Sequence, residues 1–390
     1  METTEGDVLE WLSTGREIFP AMLEAIARAR ESIRLETYSY GDGEIGRQFL
    51  NALVAAQRRG VAVRVLVDAM GSWLLPEDYF APLTAAGGAM RRFNPLRFWR
   101  FGVRDHRKVL VCDGRTVFVG GFNLSDEYNG DGLISGWCDV GARLENPALA
   151  GPLAAAFDDL FDLADFDRRP LLRLRAFKRR RKAVKPPGGE VLLSQPGGGA
   201  GEIQRSLRRD LAQARAVEII SAYFLPPWRL RRDLARVARR GGRVRLILAG
   251  RSDVPVAQLA GRSLYRRLAR AGVEIYEYQP QILHAKLFII DGVAYTGSAN
   301  LDIRSLKLNY ELLLRFTDKR TVTGAREIFA RTLSHSARLE FPAWWKAQGF
   351  LTRWKFRWAN FLLARVDPFV ALRQFRAAGA GDQRVARESR

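Results

Sequence analysis

Two distant segments of the chain carry the same arrangement of a histidine, a lysine and an aspartate. The segments are HRKVLVCD, with His106, Lys108 and Asp113, and HAKLFIID, with His284, Lys286 and Asp291. The chain has only three histidines, and the third, His335, lacks this context and is expected to be an ordinary helix or surface residue. Two copies of one pattern, using nearly all the histidine, favour a shared catalytic role over two structural histidines.

The spacing of histidine and lysine has a physical meaning. VLVC and LFII are typical of buried strands, and residues two apart on a strand face the same way. Arg107 and Ala285 should then face the opposite way. Each segment presents one imidazole and one ammonium, and a pseudo-two-fold axis would bring the two pairs together. One imidazole can attack phosphorus covalently, while the other protonates the leaving alkoxide and later deprotonates the incoming hydroxyl.

Each segment is followed by a glycine turn that ends in an asparagine, Asn123 in GGFN and Asn300 in GSAN. Together with the two lysines, these amides could hold the non-bridging oxygens of a phosphodiester. Asp113 and Asp291 begin Asp-Gly turns, so we expect them to hold backbone groups away from the reacting phosphorus. Because no H-E-x-x-H or Cys/His cluster with metal spacing is present, the sequence predicts neither a metal nor another cofactor.

The chain repeats itself around these segments. Both halves predict a strand, a helix, a strand, a helix, a strand, a helix ending near Ala-Gly, and a strand. VAVRVLVDA (61–69) and RVRLILAG (243–250) are equivalent β-rich runs. Alternating strands and helices indicate an α/β fold. The predicted organisation is an N-terminal half, a basic linker, a C-terminal half and a basic aromatic tail, at residues 1–165, 166–187, 188–340 and 341–390.

The composition points to an anionic partner. The chain has 390 residues and a formal net charge of +21, an excess that suits nucleic acid or anionic lipid headgroups and does not choose between them. Two cysteines do not make a disulfide framework. The sequence shows neither a secretory signal nor an apolar stretch long enough to span a bilayer. We therefore expect a soluble or peripherally attached protein on the cytoplasmic side of the cell membrane.

The paired motifs resemble those of the phospholipase D superfamily, most closely the bacterial cardiolipin synthases that lack N-terminal membrane spans. The similarity covers roughly residues 10–340. It is carried by RLETYSYGDGEIG (34–46), LVDAMGS (66–72), RFWRFGVRDHRK (97–108), GGFNLSDEY (120–128), WCDVGARLENP (137–147), GSANLDIRS (297–305) and LNYELLL (308–314). The resemblance implies two pseudo-symmetric halves, each a mixed β-sheet flanked by helices, with the active site at their junction.

The resemblance also implies a reaction and two further site residues. The implied activity is transfer of a phosphatidyl group to phosphatidylglycerol through a phosphohistidine, with phospholipid hydrolysis or a nuclease activity as alternatives. Asp139 and Glu311 would be the carboxylates that orient the histidines. We expect a crossed arrangement, Glu311 with His106 and Asp139 with His284, in which His106 is the nucleophile and His284 the acid and base.

Two aromatic segments bear on the substrate. Residues 96–104 interleave bulky apolar side chains with arginines, and residues 341–376 are rich in tryptophan. On a helix, one face would carry Leu351, Trp354, Trp358, Phe361 and Leu362. Such a face with basic flanks suits a bilayer interface, although it could instead pack on the protein. The expected partners are an anionic phospholipid membrane and phosphatidylglycerol, not nucleic acid. The oligomeric state stays open, since one chain carries both motifs.

Overall fold

The structure is a computed structural model that describes residues 8–94, 102–164, 189–196, 201–368 and 370–371. The predicted linker at 166–187 lies outside these residues. The same holds for residues 96–101 of the first aromatic segment and for the tail beyond residue 371.

The first half is a seven-stranded sheet with helices packed against it. Its strands are β1 (Val8–Leu12), β2 (Ser32–Thr37), β3 (Ala62–Asp68), β4 (Ala89–Phe93), β5 (Val109–Cys112), β6 (Thr116–Gly120) and β7 (Gly141–Glu145). Its helices are α1 (Gly15–Arg28), α2 (Glu44–Arg58), α3 (Ala81–Ala85) and α4 (Pro147–Leu163), with a 3₁₀ turn at Asp126–Tyr128. The strand order is β1-β7-β6-β5-β2-β3-β4. Strands β2, β3 and β4 are parallel to one another and the remaining pairs are antiparallel.

The second half repeats this plan. Its strands are β8 (Glu190–Ser194), β9 (Ala216–Ser221), β10 (Phe224–Leu225), β11 (Arg243–Ala249), β12 (Glu274–Tyr278), β13 (Lys286–Ile290), β14 (Val293–Gly297), β15 (Leu301–Asp302), β16 (Glu311–Phe316) and β17 (Ser336–Arg338). Its helices are α5 (Glu202–Leu211), α6 (Trp228–Arg239), α7 (Pro255–Ala269), α8 (Ile303–Lys307), α9 (Lys319–Ser334), α10 (Phe341–Ala347) and α11 (Phe350–Phe361), the last continued by a π-helical turn at Leu362–Val366.

The two sheets have the same topology. The main sheet of the second half has the order β17-β12-β11-β9-β13-β14-β16-β8. Read from β8, this order matches that of the first sheet strand for strand, with β17 added at the far edge. The predicted mixed α/β fold with two pseudo-symmetric halves is confirmed.

Local sequence accounts for where the helices begin. Helix α1 starts after Thr14, whose hydroxyl accepts a hydrogen bond from the Glu17 N–H at 3.2 Å, while the Glu17 carboxylate accepts one from the Thr14 N–H at 3.1 Å. This reciprocal capping satisfies two backbone donors that the helix leaves free. One face of α1 then buries Ile18, Phe19 and Ile26 against the first sheet.

An apolar layer joins the two halves. It combines Val111 and Val119 of the first sheet with Leu312, Leu314 and Phe316 of the second, all buried. Because the layer contains side chains from both sheets, burial of apolar surface favours one fixed relation between the halves. The strands that carry both histidine motifs, β5 and β13, lie in the middle of their sheets and lead into this junction.

Candidate active site

Two short backbone pairings across the junction place each histidine beside a carboxylate of the other half. Asp105 bridges to Tyr310: the His106 N–H donates to the Tyr310 carbonyl at 3.0 Å, and the Tyr310 N–H donates to the Arg104 carbonyl at 2.9 Å. The next residue along each strand is His106 on one side and Glu311 on the other. The pairing therefore fixes this histidine against a carboxylate roughly two hundred residues away in the chain.

The second pairing is the equivalent of the first. Leu283 bridges to Cys138, with the His284 N–H donating to the Cys138 carbonyl at 2.7 Å and the Cys138 N–H donating to the Ile282 carbonyl at 2.9 Å. Again the following residues, His284 and Asp139, meet. The backbone thus explains why the arrangement is crossed.

Both histidine–carboxylate contacts expected from the family resemblance are present. His106 Nδ1 lies 3.1 Å from Glu311 Oε1 and 3.2 Å from Oε2. His284 Nδ1 lies 2.7 Å from Asp139 Oδ2. A carboxylate at Nδ1 favours the tautomer in which Nδ1 carries the proton, so the lone pair of each neutral ring is on Nε2. Both carboxylates are buried, which strengthens their interaction with a positively charged ring.

Different residues lie against the two carboxylates, and the sequence indicated neither of these residues. Ser298 Oγ donates to Glu311 Oε2 at 2.5 Å. The equivalent residue of the first half is Gly121, and a Cβ atom there would lie 2.2 Å from Asp139 Oδ1. Glycine at this position therefore leaves room for the shorter carboxylate. The two motifs, GGFN and GSAN, already differ at this position. Only the positions of the carboxylates show what the difference does.

The lysines lie behind the histidines, although we expected them at the cavity surface. Lys108 Nζ donates to the His106 carbonyl at 2.8 Å. Lys286 Nζ donates to the His284 carbonyl and lies 2.8 Å from Nδ1 and 3.2 Å from Nε2 of the same ring. Burial lowers the pKa of Lys108 to about 7 and that of Lys286 to about 8. An arriving phosphodiester anion would raise both pKa values and favour the charged form.

The imidazoles are also shifted. Burial, with Lys108 and Lys286 nearby, lowers the pKa of His106 well below its usual value. Burial and Lys286 lower the pKa of His284 too, while Asp139 opposes the change. Burial raises the pKa of Glu311 to about 7. In the free protein at neutral pH, His106 is therefore an uncharged ring whose Nε2 lone pair is available for attack.

The two asparagines occupy equivalent positions on the cavity wall. Asn123 Oδ1 accepts from the Ser39 N–H at 3.1 Å, and its Nδ2 donates to the Tyr128 hydroxyl at 2.7 Å. That hydroxyl lies 3.3 Å from His284 Nδ1. Asn300 Oδ1 accepts from the Tyr223 N–H at 3.5 Å. Tyr128 is a site residue that the sequence did not indicate.

The side chains of Asp113 and Asp291 bind backbone N–H groups, as predicted. Asp113 accepts from three N–H groups at the start of β2, those of Arg30, Glu31 and Ser32, at 2.8–2.9 Å. Asp291 accepts from the Arg215 and Ala216 N–H groups at the start of β9. Both have a left-handed backbone, with φ of 52° and 47°, which aspartate tolerates in turns. Arg107 faces away from the site and pairs with Glu36 at 2.6 Å. His335 is the C-cap residue of α9 and is exposed.

One cavity of about 880 Å³ contains both histidines and both asparagines, a size typical of ligand sites. Its rim carries apolar side chains from equivalent loops of the two halves, beside the exposed acids Asp42, Asp126, Glu127 and Asp253. The loop after β3 contributes Trp73 and Leu74, which are 64% and 75% exposed, and the loop after β11 contributes Val254. Leu363 of the C-terminal segment completes this rim. A polar floor beneath an entrance with exposed apolar side chains suits an amphiphilic substrate.

Comparison with known proteins identifies the family. The model of the cardiolipin synthase, phospholipase D-like domain matches residues 22–161 and 207–333. The chain belongs to this family. It is 36% identical to cardiolipin synthase B of Escherichia coli K12 over 79% of this chain and 76% of that protein. It is 29% identical to cardiolipin synthase 1 of Bacillus anthracis over 86% of this chain and 68% of that protein.

The solved structures support the fold. The phosphatidylserine synthase of Haemophilus influenzae Rd KW20 superposes with a TM-score of 0.72 at 16% identity, covering 95% of each chain. Membership of the family makes this chain a phosphatidyltransferase-type enzyme of the phospholipase D superfamily. The resemblance inferred from the paired motifs is thus confirmed.

The aromatic tail packs on the second half with one face and exposes the other. Ala359 of α11 is buried in the core of the second half, and Phe356 is buried against the ring of Trp344. The predicted apolar face points away from it: Leu351, Trp354 and Phe361 are 71%, 51% and 50% exposed. Trp358 and Leu362 are 45% and 41% exposed, so the stripe is partly open and is not fully covered by the described part of the protein. Among the described residues no helix combines the length and apolar character needed to cross a membrane.

Proposed function

We propose that this enzyme is a cardiolipin synthase that transfers a phosphatidyl group to a free hydroxyl of phosphatidylglycerol through a phosphohistidine. The observation that carries this proposal is the pair of imidazoles, each held at Nδ1 by a carboxylate, in one cavity with apolar side chains at its rim. The rim suits acyl chains and the floor suits a phosphodiester. The names of the relatives point to the same reaction.

In the first step, His106 Nε2 attacks the phosphorus of the donor phospholipid. A P–N bond forms and the P–O bond to the headgroup alcohol breaks. His284, whose pKa rises when the phosphodiester anion binds, is protonated in the complex and gives its Nε2 proton to the departing alkoxide, so a neutral small alcohol leaves. Glu311 stabilises the positive charge on the ring of His106, and the two lysines stabilise the negative charge on phosphorus.

In the second step, His284, now neutral, takes the proton from the hydroxyl of phosphatidylglycerol. The hydroxyl oxygen attacks phosphorus, the P–N bond breaks and His106 is regenerated as a neutral ring. Asp139 stabilises the imidazolium that re-forms on His284. Water attacking at this stage would give phosphatidic acid, so the apolar side chains at the rim support transfer by limiting the access of water.

We also propose that the enzyme is peripheral to the cytoplasmic side of the membrane. The exposed face of α11 and the rim residues Trp73 and Leu74 support a bilayer contact, because large aromatic and aliphatic side chains partition into the interface. The excess of positive charge supports an anionic membrane. Cys112 and Cys138 are both free thiols, which is typical of a reducing compartment.

The decisive test is incubation of the purified protein with phosphatidylglycerol vesicles, followed by lipid analysis. We expect cardiolipin and glycerol in equal amounts, and neither product with a His284→Ala variant. Phosphatidic acid as the main product would instead indicate a hydrolase. Cleavage of single- or double-stranded DNA in a parallel assay, without any change in the lipid, would indicate a nuclease.

The nucleophile can be assigned separately. Donor lipid labelled at phosphorus should leave an acid-labile, alkali-stable label on the peptide that contains His106. The label should disappear in a His106→Ala variant. A label on the peptide that contains His284 would exchange the two roles and leave the rest of the reaction unchanged.

A further inference from the structure

A second cavity, of about 420 Å³, lies between α6, α7 and the C-terminal helices, and shares no residue with the cavity of the histidines. Six of its lining residues are arginines and none is acidic. They are Arg239, Arg266, Arg267, Arg270, Arg353 and Arg357. So many cations around one concave surface repel one another unless an anion is bound among them.

In the part of the chain that the structure describes, these arginines have no carboxylate to neutralise them. Within the described part of the chain, no aspartate or glutamate lies at ion-pair distance from any of the six. Arg262, on the same helix but outside the cavity, contrasts with them: its Nε lies 3.0 Å from Glu277 Oε1. The absence of acids is therefore specific to the cavity and is not a general property of α7.

Trp345 holds two of the arginines in place. The guanidinium centres of Arg266 and Arg353 lie 5.3 Å and 4.7 Å from the centre of its ring, which is cation–π distance. The Arg353 side chain also donates to the Trp345 carbonyl at 2.7 Å. The Nε–H groups of both arginines are buried and lack a hydrogen-bond partner among the described residues. Fixed guanidinium groups with unused donors match the oxygens of a phosphate group.

The cavity lies beside the exposed apolar face of α11. Arg353 and Arg357 are one helical turn apart on α11. Around the helix axis they lie next to the stripe that includes Trp354 and Phe361. A bilayer contacting that stripe would therefore bring its headgroups level with the arginines. This position connects the anion site with the proposed membrane surface.

We propose that this arginine cavity binds a phosphate-bearing anion, supplied by the headgroup of an anionic phospholipid. The site is separate from the catalytic cavity and retains lipid, or the enzyme on lipid, without taking part in the chemistry. The choice of a lipid as the source rests on the proposed function. The choice of a phosphate group rests on the arginines alone.

The test uses the full chain and an Arg267→Gln/Arg357→Gln variant. Both residues are exposed, so their replacement should leave the fold intact, which thermal unfolding can check. The matched control is Lys319→Gln/Arg320→Gln on α9, which packs on the opposite face of the second sheet. Both variants lose two positive charges. Binding is measured to phosphatidylcholine vesicles with and without phosphatidylglycerol, and to inorganic pyrophosphate.

We expect the cavity variant to bind phosphatidylglycerol vesicles about tenfold or more weakly than wild type and the control to stay within about twofold. Loss of pyrophosphate binding with unchanged vesicle binding would support the phosphate site but assign it to a free anion. Equal losses in the cavity and control variants, or no loss in either, would overturn the site. A wild-type protein that binds through the cavity yet makes no cardiolipin would overturn only the proposed function.

Discussion

Gly121→Ala is the sharpest single test of the site, because it adds one methyl group beside a catalytic carboxylate. The new Cβ would lie 2.2 Å from Oδ1 and 2.6 Å from Oδ2 of Asp139. Ordinary carbon–oxygen contacts need roughly 3.4 Å, so the carboxylate must retreat by about 1 Å. The backbone at Gly121 does not have a positive φ, so alanine introduces no backbone strain.

The size of the effect follows from the contact that is lost. Asp139 Oδ2 now lies 2.7 Å from His284 Nδ1, and a retreat of about 1 Å takes it beyond hydrogen-bond range. A hydrogen bond to a charged group contributes about 1.5–3 kcal/mol. Since about 1.4 kcal/mol is a factor of ten in rate, kcat should fall by about 10- to 150-fold.

The pH profile gives a second signature. His284 must be protonated to act as the acid, and the protonated fraction falls as pH rises through its pKa. Asp139 raises that pKa, so moving the carboxylate away lowers it. The alkaline limb of the profile of kcat against pH should therefore shift to lower pH in the Gly121→Ala variant. A purely structural defect would lower kcat without moving this limb.

The assay is cardiolipin formation in mixed micelles across a pH series, with thermal unfolding measured alongside. The matched control is Gly151→Ala in α4, where an added Cβ meets no atom within 4 Å. That variant should keep full activity and gain up to about 1 kcal/mol in stability from helix propensity. A Gly121→Ala enzyme with wild-type kcat and an unshifted profile would refute the role given to Asp139.

Four further outcomes are expected. Glu311→Gln should lower kcat by about 10²- to 10⁴-fold, and a loss below about fivefold would contradict the pairing. The KM for phosphatidylglycerol should rise as pH rises above 7, because Lys108, whose pKa is about 7, loses its charge; a flat KM up to about pH 9 would count against this. Asp113→Ala should cost about 1–2 kcal/mol in the free energy of unfolding, seen as a lower urea midpoint. Trp354→Ser/Trp358→Ser should weaken co-sedimentation with phosphatidylglycerol vesicles about tenfold, and unchanged binding would exclude α11 as the contact.

The repeat made most of the fold predictable. Strand and helix periodicities gave the order of elements in both halves, and β5 and β13 followed from short runs of buried residues. Strand β17 has no equivalent in the first half, so no repeat could indicate it. Its three residues, Ser336–Arg338, are strand only because they pair with the free edge of β12, a tertiary contact that local sequence does not encode.

The site was predictable to the extent that chemistry follows from residue type. The motifs named the histidines and lysines, and the resemblance supplied the carboxylates. The depth of Lys108 and Lys286 behind the rings was not predictable, because strand alternation fixes the face but not the path of a long side chain. The roles of Ser298 and Tyr128 depend on distances across the junction.

The arginine cavity shows the same limit on a larger scale. Its cations come from the end of α6, one face of α7, and α11. Each group alone is typical of a solvated basic helix face. Only the packing of α11 on α7, driven by burial of Phe356 and Ala359, brings them around one space. A net charge of +21 indicated an anionic partner, but charge counts carry no position.

The differences between the halves, set against their common topology, indicate how two equivalent histidines take different roles. His284 Nδ1 has Asp139, Tyr128 and Lys286 within 3.3 Å, and only 4% of its side chain is exposed. His106 Nδ1 contacts one carboxylate, that of Glu311, and 12% of its side chain is exposed. The more open ring also has the more strongly lowered pKa. An accessible, uncharged imidazole suits attack on phosphorus, whereas an enclosed one beside a close carboxylate suits holding and returning a proton.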